Sequence, residues 1–192
     1  MIYRRLGPDA LFYRAITPRW SFQPDSGAGA AVAGGRFNRP GVEARYLAES
    51  TEGALLEYQQ ESPLLPPATV VTFRVSAQHV IDFSGGYSVE DWPPIWKEAY
   101  CNWKGLAYLD NVEPPSWVIG DLARAAHACG ILYRSARNPS VQCLVLYPEL
   151  SRLFTAKVFD PKGDLPSNAE SWTAPVVSAV RRPSARRGKK KK

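Results

Sequence analysis

The residues best suited to chemistry lie in three short blocks. The first is Gly34-Gly35-Arg36-Phe37-Asn38-Arg39-Pro40-Gly41, where two glycines precede an arginine and a turn follows it. Glycine at such a place lets backbone approach a ligand closely. A loop arginine can hold phosphate oxygens through two parallel charged hydrogen bonds. The second block carries Tyr46 in a short extended run and Glu57 in the helical run that follows it. The third, Tyr133-Arg134-Ser135-Ala136-Arg137-Asn138-Pro139, passes from a strand into a polar turn. Taken singly, each has a plain structural reading: a turn, a core tyrosine, a solvated helix face, a turn signal.

Other chemistries lack their residues. No Gly-x-Gly-x-x-Gly follows a strand, and no Gly-x-x-x-x-Gly-Lys loop is present. His79 and His127 are the two histidines, and neither flanks a nucleophile as a Ser-His-Asp triad requires. Cys101, Cys129 and Cys143 form no Cys-x-x-Cys pair, so no metal is expected. Cys129 and Cys143 read as buried apolar filler.

Elements that must carry the three blocks can be read from periodicity and punctuation. Strands are expected at Leu11 to Thr17, Arg45 to Ala48, Ala68 to Val75, Val80 to Phe83, Ile131 to Arg134, Gln142 to Leu146 and Phe154 to Phe159. Pro18 to Gly41 reads as one long loop. A helix capped by Ser50 or Thr51 runs to about Glu61, where Ser62-Pro63 stops it. A second helix is expected from a Ser116 cap to a Gly130 terminator. The Trp- and Pro-rich stretch 84–116 reads as a flap or insert with a short helix near Ile95 to Trp103. The interspersed order predicts an α+β domain with a mixed, partly antiparallel sheet and helices at its sides.

The chain has 192 residues and a formal net charge of +6. Residues 181–192 hold eight positive charges and no negative one, which leaves the body near −2. The expected organisation is a domain over 1–160 and a polar extension over 161–192 that ends in a disordered basic tail. The tail could bind nucleic acid phosphates without sequence selectivity, a lesser reading for the whole chain. No apolar run is long enough to span a bilayer and the N-terminus lacks a signal-peptide stretch, so the expected compartment is the cytoplasm, with no membrane partner.

Together and in this order, Tyr13-Arg14, the Gly34–Gly41 block, Tyr46-Leu47-Ala48-Glu49-Ser50 with Ala54-Leu55-Leu56-Glu57, and Ser135-Ala136-Arg137-Asn138-Pro139 resemble the RES-domain toxins over about residues 11–159. The resemblance implies an ADP-ribosyltransferase-like fold, with a split mixed sheet flanked by helices around an NAD⁺ cleft. It implies a toxin of a bacterial toxin–antitoxin pair that depletes NAD⁺ by hydrolysis or phosphorolysis, or that transfers ADP-ribose to a protein acceptor. NAD⁺ is then substrate, and no metal is needed. The implied partner is a small helical DNA-binding antitoxin that blocks the cleft.

The implied roles are these. Arg36 and Arg14 bind the pyrophosphate or the adjacent ribose, with Gly35 giving close backbone approach. Tyr46 packs against nicotinamide. Glu57 accepts a hydrogen bond from a ribose hydroxyl and stabilises developing positive charge. Ser135 holds Arg36 or the nicotinamide ribose, and Asn138 contacts substrate or shapes the turn. Phe37 stands where the family commonly has tryptophan; stretch 84–116 and the basic tail do not map onto it.

Overall fold

A computed structural model describes residues 1–170. The basic tail lies outside the described residues, as does the part of the polar extension beyond residue 170. Six strands form one sheet: β1 (Tyr3–Ile16), β2 (Arg45–Ala48), β3 (Thr69–Asp82), β4 (Gly130–Arg134), β5 (Gln142–Leu146) and β6 (Phe154–Val158). Their order is β1-β2-β5-β4-β3-β6, and β1 also pairs with β3, so five strands close on themselves. All pairings are antiparallel except β3 with β4. This is the expected α+β class, a large and mainly antiparallel sheet flanked by helices.

Alternation along the strands makes two cores, because successive side chains point to opposite faces. On β4, Ile131 and Tyr133 face the helices while Leu132 faces the other way; on β5, Cys143 and Val145 oppose Leu144 and Leu146. The second face packs Phe12, Phe73, Val75 and Phe154 inside the curled sheet. Cys129 and Cys143 are both buried thiols. The ring has one weak seam. A single residue pair, Tyr13 with Ala48, joins β1 to β2, whereas β2 pairs with β5 over all four of its residues.

Several expectations are corrected. The first strand begins at Tyr3, because irregularities between Arg4 and Ala10 absorb Gly7 and Pro8 without ending it. The two runs expected at 68–75 and 80–83 are one strand, because pairing with β1 continues from Leu6–Ala77 to Arg4–Val80 across an irregularity that absorbs the break in alternation. The long loop contains α1 (Ala28–Ala33), an alanine-rich turn of helix that ends at Gly34 with φ 69°. Stretch 84–116 holds a 3-10 turn at Pro94–Glu98 and α3 (Trp103–Tyr108) rather than one helix.

Helix α2 (Thr51–Gln59) is capped by Ser50, whose side chain accepts from the Gly53 N–H, as expected. Helix α4 (Pro115–Ala125) is not capped by Ser116. It starts at Pro115, whose fixed φ suits the first helical position, and Ser116 is buried, accepting a hydrogen bond from Cys101 Sγ. Nor does Gly130 end it. The chain reverses at His127 (φ 56°), and Gly130 opens β4 where a Cβ would run into the Val145 carbonyl. Past β6, the backbone N–H groups of Asp164 and Leu165 donate to the Asp160 carboxylate, and Leu165 packs against the inner core.

Candidate active site

The glycine–arginine block is a tight turn held from several sides. The Gly35 N–H donates to the Asn38 carbonyl at 2.9 Å. The Tyr46 hydroxyl accepts from the Phe37 N–H at 2.9 Å and donates to Asn38 Oδ1 at 2.7 Å. Asn38 Nδ2 then donates to the carbonyls of Ala30 and Val42, tying the turn to α1. Trp117 Nε1 donates to the Gly35 carbonyl and the Tyr147 hydroxyl to that of Phe37. Phe37 is fully buried, edge-on to Tyr133 at 5.0 Å, so phenylalanine here keeps the aromatic packing.

This frame presents Arg36. Its Nη1 donates to the carbonyls of Ala99 and Cys101 at 3.2 and 3.1 Å, and its guanidinium lies 5.7 Å from the Tyr100 ring centre. Part of the Trp/Pro stretch thus aims the arginine. On α2, Glu57 Oε1 accepts from Ser135 Oγ at 2.5 Å. Ser135 is 2% exposed, and its oxygen also accepts from the N–H groups of Arg137 and Asn138. The turn after β4 therefore locks Glu57 through one hydroxyl.

Gly35, Arg36, Tyr46 and Glu57 line one cleft of about 780 Å³ together with Tyr133 and Arg137. Trp103, Lys104 and Tyr108 of α3 line it as well, with the Tyr108 hydroxyl bonded to the Ala33 carbonyl of α1. A side pocket of about 160 Å³ opens at the β1–β2 seam and shares Tyr46, Glu57, Gln60 and Tyr133 with the cleft. The weak seam of the sheet lies beside the carboxylate.

The remaining candidates sit differently. Arg14 lines the side pocket, and its Nη1 donates to the carbonyls of Pro24 and Ser26 at 2.9 and 2.7 Å, fastening the loop before α1. Burial, then the neighbouring Arg45, lowers its pKa to about 10. Ser135 holds Glu57 rather than Arg36. Asn138 Oδ1 accepts from the Ser140 N–H and hydroxyl, which closes the turn. Burial raises the pKa of the Tyr46 and Tyr133 phenols, so both stay neutral and serve as hydrogen-bonding and packing groups.

The sequence reading did not single out Asn38, Trp117, Tyr133 or α3 as parts of the site. Asn38 lies inside the Gly34–Gly41 block and Tyr133 opens the Tyr133–Pro139 block; Trp117 and α3 carry no local signal. Among the described residues no group of three or more His, Cys, Asp or Glu could hold a metal.

A sequence model of the RES domain matches residues 11–168. The chain belongs to the RES domain family. That match takes in every residue named in the cleft. A search of curated proteins gives no match. Among solved structures, this RES domain resembles the Mycobacterium tuberculosis MbcT–MbcA toxin–antitoxin complex, with a TM-score of 0.52 and 20% identity over 81% of this chain and 84% of that one. At that identity the likeness shows a shared fold.

Proposed function

We propose that this RES domain breaks the nicotinamide–ribose bond of NAD⁺ and acts as the toxin of a toxin–antitoxin pair. The observation that carries the reading is the convergence of Arg36, Tyr46 and Glu57 on one cleft, with Ser135 locked onto the glutamate. The cleft volume lies in the roughly 300–1,000 Å³ range of ligand sites. The fold likeness to a toxin–antitoxin complex supports the biological role and a cognate antitoxin as partner. We place the protein in the cytoplasm, with a small helical DNA-binding antitoxin covering the cleft.

The chemistry follows from charge. Nicotinamide in NAD⁺ is cationic, so when the C1′–N bond breaks its electron pair neutralises the leaving ring. The ribose is left as an oxocarbenium-like cation, as in other glycosyl transfers. Glu57 is an anion fixed in place before reaction, which stabilises charge that appears only in the transition state. Tyr46 and Tyr133 supply apolar surface for the ring. An acceptor then adds its lone pair to C1′ and gives up its proton. No metal is required, because the leaving group already bears positive charge.

NAD⁺ labelled in its ADP-ribose half, incubated with purified protein and cell lysate, tests the reading. Free nicotinamide with label in a small product supports hydrolysis or phosphorolysis. Label on a protein makes the chain a mono-ADP-ribosyltransferase. Intact NAD⁺ overturns the proposal.

A further inference from the structure

Gln60, just past α2, has φ 52° and ψ −129°, a backbone region that favours glycine. A non-glycine residue held there points to a site where surrounding contacts fix the strain. Two cations lean on it. Arg137 Nη1 donates to its backbone carbonyl at 2.7 Å, and Lys104 Nζ donates to its side-chain Oε1 at 2.5 Å. Arg137 comes from the turn after β4 and Lys104 from α3, so two separate elements bring cations to the cleft that both line.

Both are held by neutral oxygens of one residue, which brings like charges within a single side chain's reach. Two like charges placed so favour an anion between them. The carboxylate on Arg137 is Glu61, whose side chain is 83% exposed, so the pair is screened by water and readily exchanged. An ammonium has three donors and a guanidinium five, so both cations keep N–H groups for a ligand. Arg14, by contrast, lies in the side pocket rather than the main cleft, where it fastens Pro24 and Ser26.

We propose that Lys104 and Arg137, set by Gln60, are the jaw that grips the diphosphate of the substrate. The inference rests on the NAD⁺ reading and specifies which residues select a dinucleotide over a neutral nucleoside.

ADP-ribose, which has the diphosphate and no scissile nicotinamide bond, is the probe, with adenosine as the neutral control. Titration calorimetry is run on the full chain and on Lys104→Ala and Arg137→Ala. Lys104 is partly exposed on a short helix, so its variant keeps the fold if the Arg137 variant does not. Each variant should bind ADP-ribose about tenfold more weakly, the size of one lost charged hydrogen bond. Adenosine affinity should not change. The wild-type affinity should fall with added KCl, and less steeply in the variants. If the wild type consumes NAD⁺ but Lys104→Ala binds ADP-ribose as the wild type does with the same salt dependence, the jaw is wrong and the NAD⁺ reading stands. If the wild type neither consumes NAD⁺ nor binds ADP-ribose, both fall.

Discussion

The hydroxyl of Ser135 donates to Glu57 Oε1 at 2.5 Å while its oxygen accepts two backbone N–H groups from the turn that follows β4. The serine is thus a joint between the turn and the carboxylate. Ser135→Ala frees Glu57 to change rotamer without removing its charge. The expected result is a fall in kcat of about 10- to 100-fold, the cost of lost positioning. KM for NAD⁺ should change little. A variant whose KM alone rises would move Ser135 to substrate binding.

Tyr46 acts through the loop that carries Arg36. Tyr46→Phe keeps the ring but strands the Phe37 N–H and Asn38 Oδ1. Leaving buried groups unpaired costs about 1–3 kcal/mol. For a domain of this size each kcal/mol lowers Tm by about 2–4 °C. An unchanged Tm would show that these bonds do not hold the loop.

Gly35 has no room for a side chain. A Cβ there would lie 2.5 Å from the Tyr46 hydroxyl and 2.7 Å from Asn38 Oδ1. Gly35→Ala must part that pair, so it should lose activity and stability together, by about the cost of one buried hydrogen bond or more. A variant as stable and active as the wild type would contradict the packing described for the turn.

Alkaline pH should unfold the protein through its buried acids. Burial, then Glu57 and Glu49, pushes the Cys143 thiol from 9.0 to about 12, and burial raises Tyr46, Tyr133 and Tyr147 above the usual 10.0. These groups are neutral in both states below pH 9. Above it the unfolded chain releases protons that the folded chain retains, so stability falls as pH rises. Urea midpoints should be level from pH 7 to about 9 and then decline, the tyrosines adding to the loss above about 10. Cys143→Ala should lessen the earliest part of that decline, leaving the share of Cys129, whose thiol burial also raises. Midpoints that hold level to pH 11 would refute it.

What the sequence disclosed follows from how local each signal is. The Ser50 cap and the short apolar runs of β4 and β5 depend on neighbours in the chain, and these elements are as expected. The start of α4 turned on Pro115, one residue before the serine taken as its cap. Ala28–Ala33 was hidden because the glycines around it read as loop, while the alanines between them formed a turn of helix. Within the site, Arg36, Tyr46, Glu57 and Ser135 were legible through family resemblance. The contribution of α3 was not. Arg36 meets Ala99 and Cys101 across more than sixty residues, and no periodicity in a Trp/Pro-rich stretch announces a contact at that range. Arg14 was read as a phosphate ligand because its type fits; its carbonyl partners at Pro24 and Ser26 exist only in the folded chain.

We propose that a fixed carboxylate at Glu57 drives cleavage of NAD⁺. Its most direct test is the loss of NAD⁺ over time, with nicotinamide release followed in parallel, for the purified wild type beside Glu57→Gln. The glutamine keeps the shape and can accept from Ser135, but carries no charge. Matched NAD⁺ loss and nicotinamide release are expected in the wild type, and a rate lower by about 100-fold or more in a folded Glu57→Gln. Equal rates in the two proteins would contradict it.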